Sequence, residues 1–201
     1  MTTPEELNAP LGRDSEPTEP VQTIREQLLG RLTVLADKYP GIDPAELPDD
    51  DPEVAATLYK FDEWRRSYLQ IGSSEERLTR QVTVTTMYFE AGFHNPEYLD
   101  EVANDWLVQD LDHAETAGFD ALAMAIKHKI FEINKLIPDV ENPTAMELGI
   151  KLEDLLDTDD CVELAFMEDV GEAVGAAFTL LLENGVEDPE TTLIEKGILE
   201  A

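Results

Sequence analysis

His94, His113 and His128 are the side chains of this sequence best suited to hold a metal or move a proton. Each has a carboxylate at helical distance: Glu90 four before His94, Asp110 three before His113, and Glu132 four after His128. A carboxylate-bridged metal bundle needs Glu-x-x-His pairs on facing helices, so that carboxylates and imidazoles converge on the bundle axis. No Glu-x-x-His occurs, and His94 falls beyond Gly92, past the end of the helix that would carry Glu90. With 45 acidic residues among 201, a carboxylate near every histidine follows from composition alone. Surface histidines paired with acids, and no metal or other cofactor, are the expectation.

The acid runs Asp49-Asp50-Asp51 and Glu153-Asp154 to Asp160 raise the question of calcium. An EF-hand loop needs acids at positions 1, 3 and 5, glycine at 6 and glutamate at 12. Counted from Asp157, positions 1, 3 and 12 are Asp157, Asp159 and Glu168, but positions 5 and 6 are Cys161 and Val162, so the centre of the loop is missing. These acids read as solvated charge flanking helices. Cys161 is the only cysteine, which rules out an internal disulfide and a cysteine-rich zinc site. It stands at an apolar helix start among acids, which raise a thiol pKa, so an inert and partly buried cysteine is expected. There is no Gly-x-Ser-x-Gly and no glycine-rich phosphate loop after a strand, and no catalytic residue is assigned.

One basic cluster stands out. Arg65, Arg66, Arg77 and Arg80 are four of the seven arginines, placed within 16 residues on two helices joined near Gly72-Ser73. In a hairpin, their guanidinium groups would lie near the turn, where two could grip a carboxylate or phosphate. The plainer expectation is that they neutralise the protein's own acidic faces. Tyr59, Tyr88 and Tyr98, with Trp106, are the candidate aromatic contacts for a partner, since aromatics dominate interface hot spots. The core is the competing place for them, most of all for Trp106.

The formal net charge is −31, with 14 basic residues in all. Residues 151–201 are the most acidic stretch, holding 15 acids against two lysines. Such a field repels phosphate backbones and anionic lipid, so direct nucleic-acid or membrane binding is not expected, while basic protein surfaces are attracted. No apolar run of about 18 residues occurs, which removes a spanning helix. The acidic, proline-rich N-terminus resembles neither a signal nor a transit peptide, and the expected compartment is the cytoplasm. The functional expectation is a non-enzymatic adaptor or regulator that binds a protein partner. The alternatives are a nucleic-acid mimic that blocks a basic DNA- or RNA-binding protein and, behind it, a carboxylate-rich metalloenzyme.

The elements that must position these groups are helices. Residues 1–19 have prolines and acids with nothing periodic to bury, and read as a disordered tail before one domain over 20–201. Asp or Asn followed by Pro recurs at 43, 51, 95, 142 and 188, which supplies a cap acceptor and a preset φ at the first helical position. Ser73 and Glu76 add a capping box. Gly followed by an apolar residue recurs at 92, 118, 185 and 197, the grammar of a helix stop. Apolar stripes at helical spacing run through Val21, Ile24, Leu28, Leu32 and Leu35, through Val54, Leu58, Phe61, Trp64 and Tyr68, and through Leu99, Val102, Trp106, Leu107, Leu111 and Ala114. Residues 81–89 have a strand-like alternation, but the capping box before them and Gly92 after them favour helix. Cys161 to Leu182 reads as one central helix, closely approached at Gly171 and Gly175. The expectation is an all-α compact bundle of about seven to eight helices built from hairpins. A short repeat array is the alternative, because the later starts lie 44, 47 and 46 residues apart.

Overall fold

The computed structural model describes residues 19–137 and 144–200. Among these, every regular element is helical. The α-helices are α1 Glu19–Lys38, α2 Pro52–Tyr68, α3 Ser74–Glu90, α4 Pro96–Asp100, α5 Leu107–Ala117, α6 Asp120–Asn134, α7 Ala145–Lys151, α8 Thr158–Ala165, α9 Val170–Glu183 and α10 Pro189–Glu195. A 3-10 turn, Pro44–Glu46, precedes α2, and a π-helical segment, Glu101–Trp106, joins α4 to α5 into one rod. The expected tail over 1–19 and the Asn142-Pro143 start lie outside the described residues, apart from Glu19, which already opens α1.

The starts are made as the sequence grammar requires. Asp51 caps α2 by accepting from the Glu53 N–H at 2.8 Å, Asn95 caps α4, and Asp188 caps α10. Both halves of the Ser73–Glu76 capping box are present, and residues 81–89 are helical throughout. The stops agree. Gly92, Gly118, Gly185 and Gly197 all have positive φ, and the apolar residue after each donates its N–H to the carbonyl five back, as from Phe93 to Tyr88 at 3.0 Å. That is the 6→1 bond that closes a helix around a left-handed residue, a conformation glycine adopts without strain.

Two apolar clusters are formed, and α6 is common to both. Leu32 and Leu35 of α1, Val54 and Phe61 of α2, Met87 of α3, Leu99, Leu107 and Leu111 of the rod, and Ile126, Ile130 and Ile133 of α6 build the first. Phe131, next to Ile130 and about 100° round α6 from it, enters the second with Leu152, Cys161, Leu164, Leu181 and Leu193. Glu90 ties three helices at the first cluster's edge, pairing with Arg25 of α1 and Lys129 of α6. α3 packs on α1, α5 and α6, which is a bundle arrangement. The first two of the 44-to-47-residue intervals each hold two rods, but the third holds α7, α8 and α9. Among the described residues, no helix is long and apolar enough to cross a membrane.

The segment from Cys161 to Leu182 is not one helix. It breaks after Ala165, and Asp169 caps α9 by accepting from the Glu172 N–H at 2.8 Å. An acid with a backbone N–H three residues on starts a helix inside an apolar run. Gly171 and Gly175 are exposed and unapproached by any other helix. The closely approached glycine is Gly149 in α7: a Cβ there would lie 2.4 Å from the Cys161 carbonyl oxygen and 3.1 Å from the Ala165 Cβ. Ile24, the second member of the first stripe, is largely exposed as well.

Candidate functional site

The rod from Pro96 to Ala117 places the residues that matter most. A plain α-helix turns about 100° per residue, so the apolar face at Leu99, Val102 and Ala103 and that at Leu107, Leu111 and Ala114 would point about 100° apart. The π segment absorbs the mismatch with one extra residue, and the Leu107 N–H accordingly bonds to the Val102 carbonyl, five residues back. Both faces then meet the same core. Trp106, which a plain α-helical phase would centre in that core, is 45 % exposed, so the expectation of a buried Trp106 is overturned by this phase shift.

Trp106 lines a cleft of about 640 Å³ between the 3-10 turn, α2, α3 and the rod. Asn95, at the head of the rod, donates to the Gly41 carbonyl at 3.0 Å and so fixes the rod against the loop that leads to the turn. The wall is aromatic and ordered edge to face. Phe61 of α2 meets Tyr88 of α3 at 5.2 Å, Tyr88 meets Tyr98 at 6.4 Å, and Tyr98 meets Trp106 at 6.4 Å between centroids. Such tilted pairs set the negative face of one ring against the positive edge of the next, which fixes the rings without closing the space between them. Burial pushes the Tyr88 hydroxyl up to about 12 and that of Tyr98 higher still, so both are neutral donors at any physiological pH.

The polar groups of the cleft are few. Gln81 donates weakly to Thr85 at 3.4 Å on the α3 wall, and Asp43 and Glu101 also line the cleft. Asp110 is different. It is only 9 % exposed, it lines the cleft, and its Oδ2 atom is shut from solvent with no hydrogen-bond partner among the described residues. Burial raises its carboxyl to about 6, an effect that the charge of nearby His113 partly offsets. Tyr98 is 3 % exposed, and its hydroxyl lies near the Phe89 backbone without forming a hydrogen bond. Buried polar groups are nearly always satisfied; of the four such side-chain atoms without a partner among the described residues, Tyr98 Oη and Asp110 Oδ2 belong to residues that line this cleft, while Arg25 Nε and Trp64 Nε1 lie elsewhere.

The residues singled out in the sequence divide. Arg65, Tyr88 and Tyr98 all line this cleft. Arg65 donates to Asp62 Oδ1 at 2.8 Å, and Arg66 pairs with the same carboxylate, so α2 neutralises its own acid with both. Arg80 donates to the Tyr68 carbonyl at 3.0 Å and lies over the Tyr68 ring. Arg77 is exposed and has no carboxylate partner among the described residues. Tyr59 is 65 % exposed, outside the cleft, and donates to Glu63. His128 pairs with Asp159 of α8 at 3.0 Å, in place of the Glu132 that its spacing offered. Among the described residues, no three histidine, cysteine, aspartate or glutamate side chains are grouped to hold a metal. Cys161 is fully buried, and burial with the charges of Glu153, Asp160 and Asp157 pushes its thiol up to about 11.

Asp110 entered the sequence reading only as a companion of His113. The signal that it is more than that is its register, one before Leu111 and three after Leu107 on the buried side of α5. Against family models, curated proteins and solved structures, the chain has no match. The chemistry of the cleft therefore rests on its own geometry.

Proposed function

We propose that this is a non-enzymatic, acidic helical protein that binds a protein partner bearing a basic surface, and that the aromatic cleft is where the partner is held. The observation that carries the reading is the conjunction of an open cleft about 640 Å³ in size with a half-exposed Trp106 and an unpaired buried carboxylate in its wall. Clefts of this size between helices of a bundle are common ligand sites. Tryptophan and tyrosine on a rigid element are the usual anchors of an interface. The net charge of −31 brings basic partners in and keeps phosphate backbones out.

The test is affinity capture from the native lysate with the whole chain and with Trp106→Ala, eluted on a salt gradient. A partner retained above about 0.5 M salt, where the Debye length is roughly 4 Å, and lost with Trp106→Ala supports the reading. Nucleic-acid-binding proteins that all leave at low salt and are indifferent to Trp106→Ala contradict it and favour nucleic-acid mimicry.

A further inference from the structure

The cleft has one charge sign left over. Three carboxylates line it, Asp43, Glu101 and Asp110, against a single cation, Arg65, one nitrogen of which pairs with Asp62. His113 is close enough to Asp110 to act on its charge, but it lies on the exposed side of α5. The Asp110 Oδ2 atom is thus a buried acceptor that no described residue answers. The rings of Trp106 and Tyr98, set edge to face, line the same cleft as Asp110. Ring faces attract cations, and the aliphatic stem of a long basic side chain packs on them while its head group goes deeper.

We infer that the cleft receives an arginine or lysine side chain of the protein partner, its stem against Trp106 and Tyr98 and its cationic head on the Asp110 carboxylate. This rests on the partner-binding reading above and adds to it what the cleft recognises. The net charge of −31 argues for the same occupant, since a cationic segment is the one steered towards this surface. A guanidinium suits a carboxylate in such a cleft, because its planar fork presents several donors at once.

The experiment uses the whole 15N-labelled chain and two blocked pentapeptides, Ala-Ala-X-Ala-Ala with X either arginine or its neutral isostere citrulline, followed by 1H–15N correlation spectra. Propylguanidinium serves as the free small cation. The arginine peptide is expected to move the Trp106 indole and the amides of residues 106–110. The citrulline peptide should bind at least about ten-fold more weakly, a difference of roughly 1.4 kcal/mol. Propylguanidinium should be weaker than the arginine peptide, and Asp110→Asn should bring arginine down to the citrulline level, with the spectrum outside the cleft unchanged. Trp106→Ala, at a position 45 % exposed, should weaken both peptides with the spectrum outside the cleft unchanged.

Equal binding of arginine and citrulline at the cleft would overturn the inference while leaving a partner-binding cleft in place. Propylguanidinium binding as tightly as the peptide would overturn it in favour of a free small cation. Shifts scattered over the acidic surface and untouched by Asp110→Asn would overturn it and the partner-binding cleft together. Absence of any shift in the cleft would overturn the inference alone, with the capture experiment deciding the rest.

Discussion

A carboxylate taken out of water without a partner is held more tightly by its proton, and Asp110 is such a group. Its folded-state value of about 6 lies above the ordinary 3.8, so between those values the folded state binds more protons than the unfolded one. Stability therefore falls as pH rises through about 6 and is regained as pH drops towards 4. Asp110→Asn should remove this cost, leaving the variant more stable than the parent near neutral pH by up to about 3 kcal/mol and nearly equal to it at about pH 4. Urea unfolding at both pH values measures it; a variant less stable than the parent at neutral pH would mean that the carboxylate has a partner. At this scale the sequence was partly legible. Tyrosine and arginine chemistry pointed to Arg65, Tyr88 and Tyr98, which the fold brings to one cleft, but Arg66, Arg77, Arg80 and Tyr59 go elsewhere. An aspartate is not marked by its type as buried, and only the register of α5 against its neighbours distinguishes Asp110 from the many exposed acids.

Helices were legible because their ends are written in side chains that satisfy backbone groups: Asp51 and Ser73 at starts, Gly92 and Gly118 at stops. What those ends do not encode is an internal change of phase. The π segment is the instance, because Leu99 and Leu107 each fit a helical stripe, and only their joint burial against one core reveals the extra residue between them. Deleting Asn104 removes that residue while leaving Leu99, Leu107 and Leu111 on one face, so cooperative unfolding should survive. Deleting Val108 instead leaves either Leu107 or Leu111 turned off the core and should cost about 2–5 kcal/mol. Comparing the two by thermal unfolding decides whether the segment is a one-residue insertion. Gly149 is a second case, since the reason for a glycine there is the Cys161 carbonyl oxygen of another helix, 2.4 Å from where a Cβ would stand. Gly149→Ala gains helix propensity but forces α7 from α8, and a net loss of about 1–3 kcal/mol is expected in denaturant unfolding. A gain would show that the two helices separate freely.

For the molecule as a whole, 45 acids face 14 basic residues, so most carboxylates have no counter-charge and repel one another. Some of the ion pairs that form, such as Lys38 with Asp51 and Lys196 with Asp154, join separate segments, others, such as Arg65 and Arg66 with Asp62, stay within one helix, and together they do not balance the total. Salt should therefore stabilise this protein: the unfolding midpoint should rise steadily as sodium chloride is raised to about 0.5 M, because screened repulsion outweighs screened pairs. A falling midpoint would mean that the ion pairs dominate. The all-helical class and the rough helix number follow from caps, stops and stripes, which are local. The choice of which inter-helix space stays open is not local, because it depends on where α2, α3 and the rod come to rest against each other.

The central claim, an unpaired carboxylate kept in an open aromatic cleft for an incoming cation, is met most directly by the 13C titration of the Asp110 carboxyl in the whole chain, alone and with the arginine pentapeptide. The account predicts a transition near pH 6 in the free protein that moves to lower pH when the peptide binds, since an adjacent cation favours the ionised form. A transition in the ordinary aspartate range near 4, unmoved by the peptide, would contradict it.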